Sequence, residues 1–175
     1  MRKKILWITE TAVMLALLIA VQALTSQFGN QFVTGSCVNL ILAVTALVAG
    51  PWSALIVAVV SPFMAWMFRI GPQFIQLVPG IAVGNMTLVL ILGFVLGKEK
   101  RAVWLQLITW LGAALAKFAV LYLVVVKLLL PTTGAPEKAV TMISAQFSWP
   151  QLVTALIGTA VALCVAPQIR KALKR

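Results

Sequence analysis

The sequence predicts an all-α integral membrane protein, a compact bundle of six transmembrane helices with both termini cytoplasmic. Three observations predict it. First, 62% of the 175 residues are hydrophobic and only 10% are charged, whereas soluble domains are about 45–50% apolar and about 25% charged. Second, long apolar runs recur between polar stretches marked by proline and glycine, the pattern of spans and connectors. Third, the basic residues cluster at the ends of those runs, and threading the runs puts most of them on one side.

The first run, residues 5–24, follows the basic start Met1–Lys4 and is interrupted by Thr9, Glu10, Thr11 and Gln22. It resembles a secretory signal in outline, but its length and Glu10 favour a transmembrane helix. Ala12, Ala16 and Ala20 recur at every fourth position and therefore share one face, where small residues let another helix come close. That helix belongs either to the same bundle or to a separate protein. Residues 25–36 (TSQFGNQFVTGS) are polar and read as a loop or re-entrant segment. Amides beside Phe28 and Phe32 are a composition that can clasp a small organic ligand.

Residues 37–49 and 52–68 are short apolar runs separated by Gly50-Pro51, and they read as helices 2 and 3 joined by a tight turn. Asn39 lies in the first and Pro62 in the second, where proline removes a backbone hydrogen bond. A second Pro/Gly-marked loop, residues 69–79, leads into helix 4, residues 76–96. Gly80 and Gly84 form a close-packing face, and Asn85 beside them must point into the bundle because an isolated amide in lipid is costly. Helix 5, residues 102–127, carries Lys117 near its middle. A charge at that depth costs about 2.5–3.5 kcal/mol on insertion scales, so such a residue is paired, hydrated or used. Residues 128–147 read as the longest connector, and helix 6, residues 148–166, ends at Pro167.

The net charge of +11 comes from 14 Lys and Arg against 3 acids. Topology explains it better than nucleic acid does. With the N-terminus inside, Arg2, Lys3, Lys4, Lys98, Lys100, Arg101, Arg170, Lys171, Lys174 and Arg175 face the cytoplasm, and Arg69, Lys127 and Lys138 face outward. All three long polar connectors then lie outside. The chain has two Cys and no His, which disfavours a metal site, and few groups for acid–base chemistry. It also lacks a phosphate-binding GxxxxGK[ST] motif, so uphill transport would draw on a partner for ATP. No cofactor is implied. The polar groups Lys117 and Asn85 converge on a cavity opening outward, suited to a small polar or anionic molecule. A stand-alone carrier or channel and a structural membrane protein are the alternatives.

Six short helices, an N-in basic end, the Ala12/Ala16/Ala20 face, Gly84-Asn85 in helix 4 and Ala116-Lys117-Phe118 in helix 5 together resemble the substrate-binding S component of energy-coupling factor (ECF) transporters. The resemblance spans essentially the whole chain, although no single motif is diagnostic. It implies capture of a vitamin or related micronutrient from outside, at a bacterial or archaeal cell membrane. It implies a partnership with a transmembrane coupling subunit and two ATP-binding subunits, with Ala12, Ala16 and Ala20 as the docking face. It also implies a ligand site formed from the first loop and helices 4 to 6, matched here by Gln27, Asn30, Gln31, Asn85, Lys117, Tyr122, Gln146 and Trp149. Lysine favours a carboxylate or phosphate on the ligand. Phe28, Phe32, Phe74, Phe147 and Trp149 would instead suit a flat heterocycle.

Overall fold

The computed structural model describes residues 2–71, 73–97 and 101–173. Lys98, Lys100, Lys174 and Arg175, which the charge argument places on the cytoplasmic side, lie outside the described residues. The regular structure among the described residues is helical, with seven α-helices: α1 (Arg2–Ser26), α2 (Gln31–Val44), α3 (Pro51–Met67), α4 (Val78–Leu96), α5 (Val103–Val120), α6 (Glu137–Gln146) and α7 (Trp149–Ala172). Wider π-helical turns extend α2 over Thr45–Ala49 and α5 over Leu121–Leu129. With these extensions five segments are long and apolar enough to cross a membrane, and α3 is shorter at 17 residues. At about 1.5 Å per residue, α3 just reaches the lower limit for a span.

The element boundaries differ from the sequence reading in four places, each for a local reason. α1 continues to Ser26, and α2 starts at Gln31 rather than Cys37. Gly29, with φ of 62°, turns the chain there, and the Asn30 side chain accepts from the Phe32 N–H at 2.9 Å as an N-cap. The polar stretch 25–36 is thus mostly helix ends rather than a loop. Residues 128–147 hold the amphipathic helix α6, set off by Gly134 in the left-handed region and opened by Pro136 and Glu137. α7 runs through Pro167 to Ala172. Beyond the proline, the Arg170 guanidinium donates to the carbonyls of Leu47 and Gly97, tying this tail to the ends of α2 and α4. A cation at two helix C-termini is also favoured by their dipoles.

Packing inside the bundle depends on small residues, because lipid supplies no hydrophobic drive between helices. α2 and α7 form the most extensively packed pair. A Cβ at Gly158 would lie 2.5 Å from the Ser36 carbonyl oxygen and 2.7 Å from the Leu40 nitrogen. Gly80 and Gly84 of α4 receive the leucines of the π-helical extension of α5, with a Cβ at Gly84 falling 2.5 Å from the Leu121 side chain. Several buried or half-buried threonines satisfy their hydroxyls locally. Thr11, Thr25, Thr45, Thr87 and Thr109 each donate to the carbonyl four residues earlier. Thr11 also bonds Ser53 of α3, at 2.9 Å.

Gly158→Ala and Gly112→Ala form a matched test of this packing. Helix propensity alone would make both stabilising by up to about 1 kcal/mol. Gly112 has nothing within 4 Å of its would-be Cβ, so it should follow propensity. Gly158 meets backbone that cannot swing aside, and overpacking of this kind costs about 1–3 kcal/mol. Thermal unfolding in detergent should therefore show opposite signs for the two variants. Equal stabilisation would mean that α2 and α7 are not in close contact.

Candidate functional site

A cavity of about 370 Å³ sits in one end of the bundle. Its walls come from the last turn of α1 (Gln22, Ser26), the start of α2 (Gln31 to Asn39), the middle of α3 (Ser61, Pro62), the first half of α4 (Ile81, Asn85), Lys117 and Leu121, and the junction of α6 with α7 (Gln146, Phe147, Gln151). This is the end away from both termini. α1 begins and α7 finishes at the other end, where Thr11 meets Ser53 and Arg170 meets Leu47 and Gly97. The volume falls in the lower part of the roughly 300–1,000 Å³ range of small-molecule sites.

Lys117 forms the centre of the inner wall. It is only 2% exposed, and its Nζ donates to Asn39 Oδ1 at 2.5 Å and to Asn85 Oδ1 at 2.7 Å. An ammonium has three donors and no acceptor, so both amides must present their oxygens to it. The Asn39 amide nitrogen in turn donates to Thr154 Oγ1 at 3.3 Å. Four helices, α2, α4, α5 and α7, are thereby joined by one polar node. Two neutral amide dipoles solvate the cation, and no carboxylate among the described residues lines the cavity. The arrangement leaves a positive centre facing a space lined by neutral hydrogen-bonding groups.

The eight residues singled out in the sequence fall into two sets. Lys117, Asn85, Gln31, Asn30 and Gln146 all line the cavity. Gln31 Nε2 donates to the Gln146 carbonyl at 2.6 Å, and Gln151 Nε2 reaches the same oxygen at 3.2 Å. That carbonyl bridges the start of α2 to the α6–α7 junction across the mouth. Gln27, Tyr122 and Trp149 are not among the lining residues. Gln27 is exposed, Trp149 is 61% exposed with its ring 5.4 Å from that of Phe32, and Tyr122 packs against Phe118 and carries Lys127 Nζ over its ring at 5.4 Å. Of the aromatics considered for a flat ligand, only Phe147 lines the cavity. Sequence reasoning missed Asn39, Thr154 and Gln151. The signal that exposed Asn85, an amide inside an apolar run, applied equally to Asn39.

Ala12, Ala16 and Ala20 are all exposed along α1, whereas Thr11, Leu18 and Thr25 on its other side are buried. The small-residue face is therefore turned away from the bundle.

Neither a curated protein nor a solved structure matches the chain at a significant level. A family model does, that of the ECF transporter substrate-specific component, over residues 10–170. The match takes in every wall of the cavity and the alanine face of α1, so the helical architecture, the lysine-centred cavity and the outward small-residue stripe are features of one matched unit. The chain belongs to the family of ECF transporter substrate-specific components, multi-pass membrane subunits that bind substrate and are not themselves enzymes.

Proposed function

We propose that this subunit captures a vitamin-like micronutrient from outside a bacterial or archaeal cell membrane and delivers it inward with an ATP-driven module. That module consists of a coupling subunit and two ATP-binding subunits. The observation that carries the reading is the buried Lys117–Asn39–Asn85 node set in a cavity of binding-site size. A cation kept at such depth is costly without a use. The distribution of Lys and Arg favours the cavity end as the outer end, because Lys4, Arg101, Arg170 and Lys171 gather at the opposite end. Lys117, Asn85, Gln31, Asn30 and Gln146 are the proposed ligand residues, joined by Asn39 and Gln151. Ala12, Ala16 and Ala20 are the proposed docking face.

The deciding experiment is reconstitution in liposomes, with and without the energising module. The chain alone should bind its ligand and move none. With the module, uptake should appear and require ATP. Uptake by the chain alone would instead make it a stand-alone carrier, and binding of no small molecule at all would leave only a structural role.

A further inference from the structure

We infer that the ligand is a compact monocarboxylate carrying hydroxyl or amide groups, bound with its carboxylate on Lys117, and not a stacked planar heterocycle or a phosphate ester. This rests on the reading of the cavity as the substrate site, and it narrows the chemistry that the site takes.

Charge comes first. Among the described residues, Lys117 is the only cationic one that lines the cavity, and no acid lines it. Arg69, Lys127 and Lys138, the other basic residues that the charge argument assigns to this side, are not among its lining residues. Two of the three ammonium donors are met by Asn39 and Asn85. One anionic oxygen completes the shell in a geometry already fixed by two amides. A single positive charge balances a single negative one. A phosphate monoester brings close to two negative charges, and a ligand cation would face an ammonium with no carboxylate among the described lining residues to offset it.

The remaining surface then sets the rest of the molecule. Gln22, Gln31 and Gln151 offer amides, and Thr34 and Ser61 offer hydroxyls. Such groups match ligand hydroxyls, amides or ureas, and each polar group left unpaired in such a site is penalised. Flat heterocycles need broad aromatic faces, yet Phe32 and Trp149 face each other outside the cavity and Phe28 is 71% exposed. Phe147 alone presents a ring, which gives a planar molecule one side at most. The volume of about 370 Å³ also limits size.

The test uses the wild-type protein, so no variant has to fold. Equilibrium dialysis of the detergent-purified chain compares pantothenate and biotin with the neutral alcohol or amide of each, beside riboflavin and thiamine. Any compound released from the native protein on denaturation is identified by mass spectrometry and scored in the same way. At least one monocarboxylate should bind, with its neutral counterpart weaker by roughly 10- to 100-fold, the loss expected for one charge-assisted hydrogen bond. Binding of riboflavin or thiamine, or equal binding of acid and neutral analogue, would overturn the inference and leave the binding-subunit reading standing. If nothing binds and nothing is released, both fall.

Discussion

Lys117→Met is expected to leave a folded, helical protein that no longer holds its ligand. Methionine is close to lysine in length and lacks the charge, and its flexible thioether fills irregular space. Removing a buried cation that has no carboxylate in its cavity takes away a desolvation cost as well as two hydrogen bonds. Asn39 and Asn85 lose a shared donor, a penalty of about 1–3 kcal/mol for each oxygen left unsatisfied. The two effects oppose each other, so the midpoint of thermal unfolding should move little. Binding has no such compensation. A ligand carboxylate would then meet no counter-charge among the described lining residues. Affinity should fall by roughly 100-fold or more, equivalent to about 3 kcal/mol. Lys117→Arg should not rescue it, because a planar, longer guanidinium does not fit between two amide oxygens placed for a compact ammonium. Dialysis against the native ligand, with unfolding measured on the same sample, reads both quantities. Unchanged affinity in a folded Lys117→Met protein would remove Lys117 from the site.

The same node shows how far the sequence could be read. The bundle was legible because lipid imposes long apolar runs, and no local detail competes with that constraint. Lys117 and Asn85 were legible because polar groups inside such runs are expensive. Asn39 carried the same signal but sat in a run too short to look like a full span until its helix was seen to begin at Gln31. Composition alone reads residues 25–36 as a loop or re-entrant segment. Gln31, Thr34 and Gly35 lie on a helix and line the cavity, and composition cannot separate a polar helix face from a connector. Phe32 and Trp149 misled for a related reason. Aromatic rings gather at ligand sites and at membrane interfaces alike, and only the fold shows that these two pair with each other outside the cavity.

Ala16→Leu is expected to abolish ATP-driven uptake while leaving ligand affinity and stability unchanged. The separation follows from where Ala16 lies. Its side chain points away from the bundle, as do those of Ala12 and Ala20, and α1 makes its internal contacts through Thr11, Leu18 and Thr25 on another face. A leucine there gains ordinary lipid contact and meets nothing within the protein. Among the described residues of α1, the cavity draws on Gln22 and Ser26, about two to three turns further along. For a partner helix the change is severe. Association in lipid depends on van der Waals fit between closely approaching backbones, and three alanines spaced by four make a flat track flanked by Val13 and Leu17, which are 57% and 46% exposed. A branched side chain at the middle of that track holds the two helices apart along its whole length, not at one point. Val161→Leu, a one-methylene enlargement on an exposed face of α7, supplies a control for added apolar bulk elsewhere and should transport normally. Uptake in liposomes containing the complete module, alongside dialysis on the isolated chain, distinguishes the outcomes. Full uptake by Ala16→Leu would mean that the energising module docks elsewhere. A parallel loss of ligand binding would mean that α1 shapes the cavity rather than the partnership.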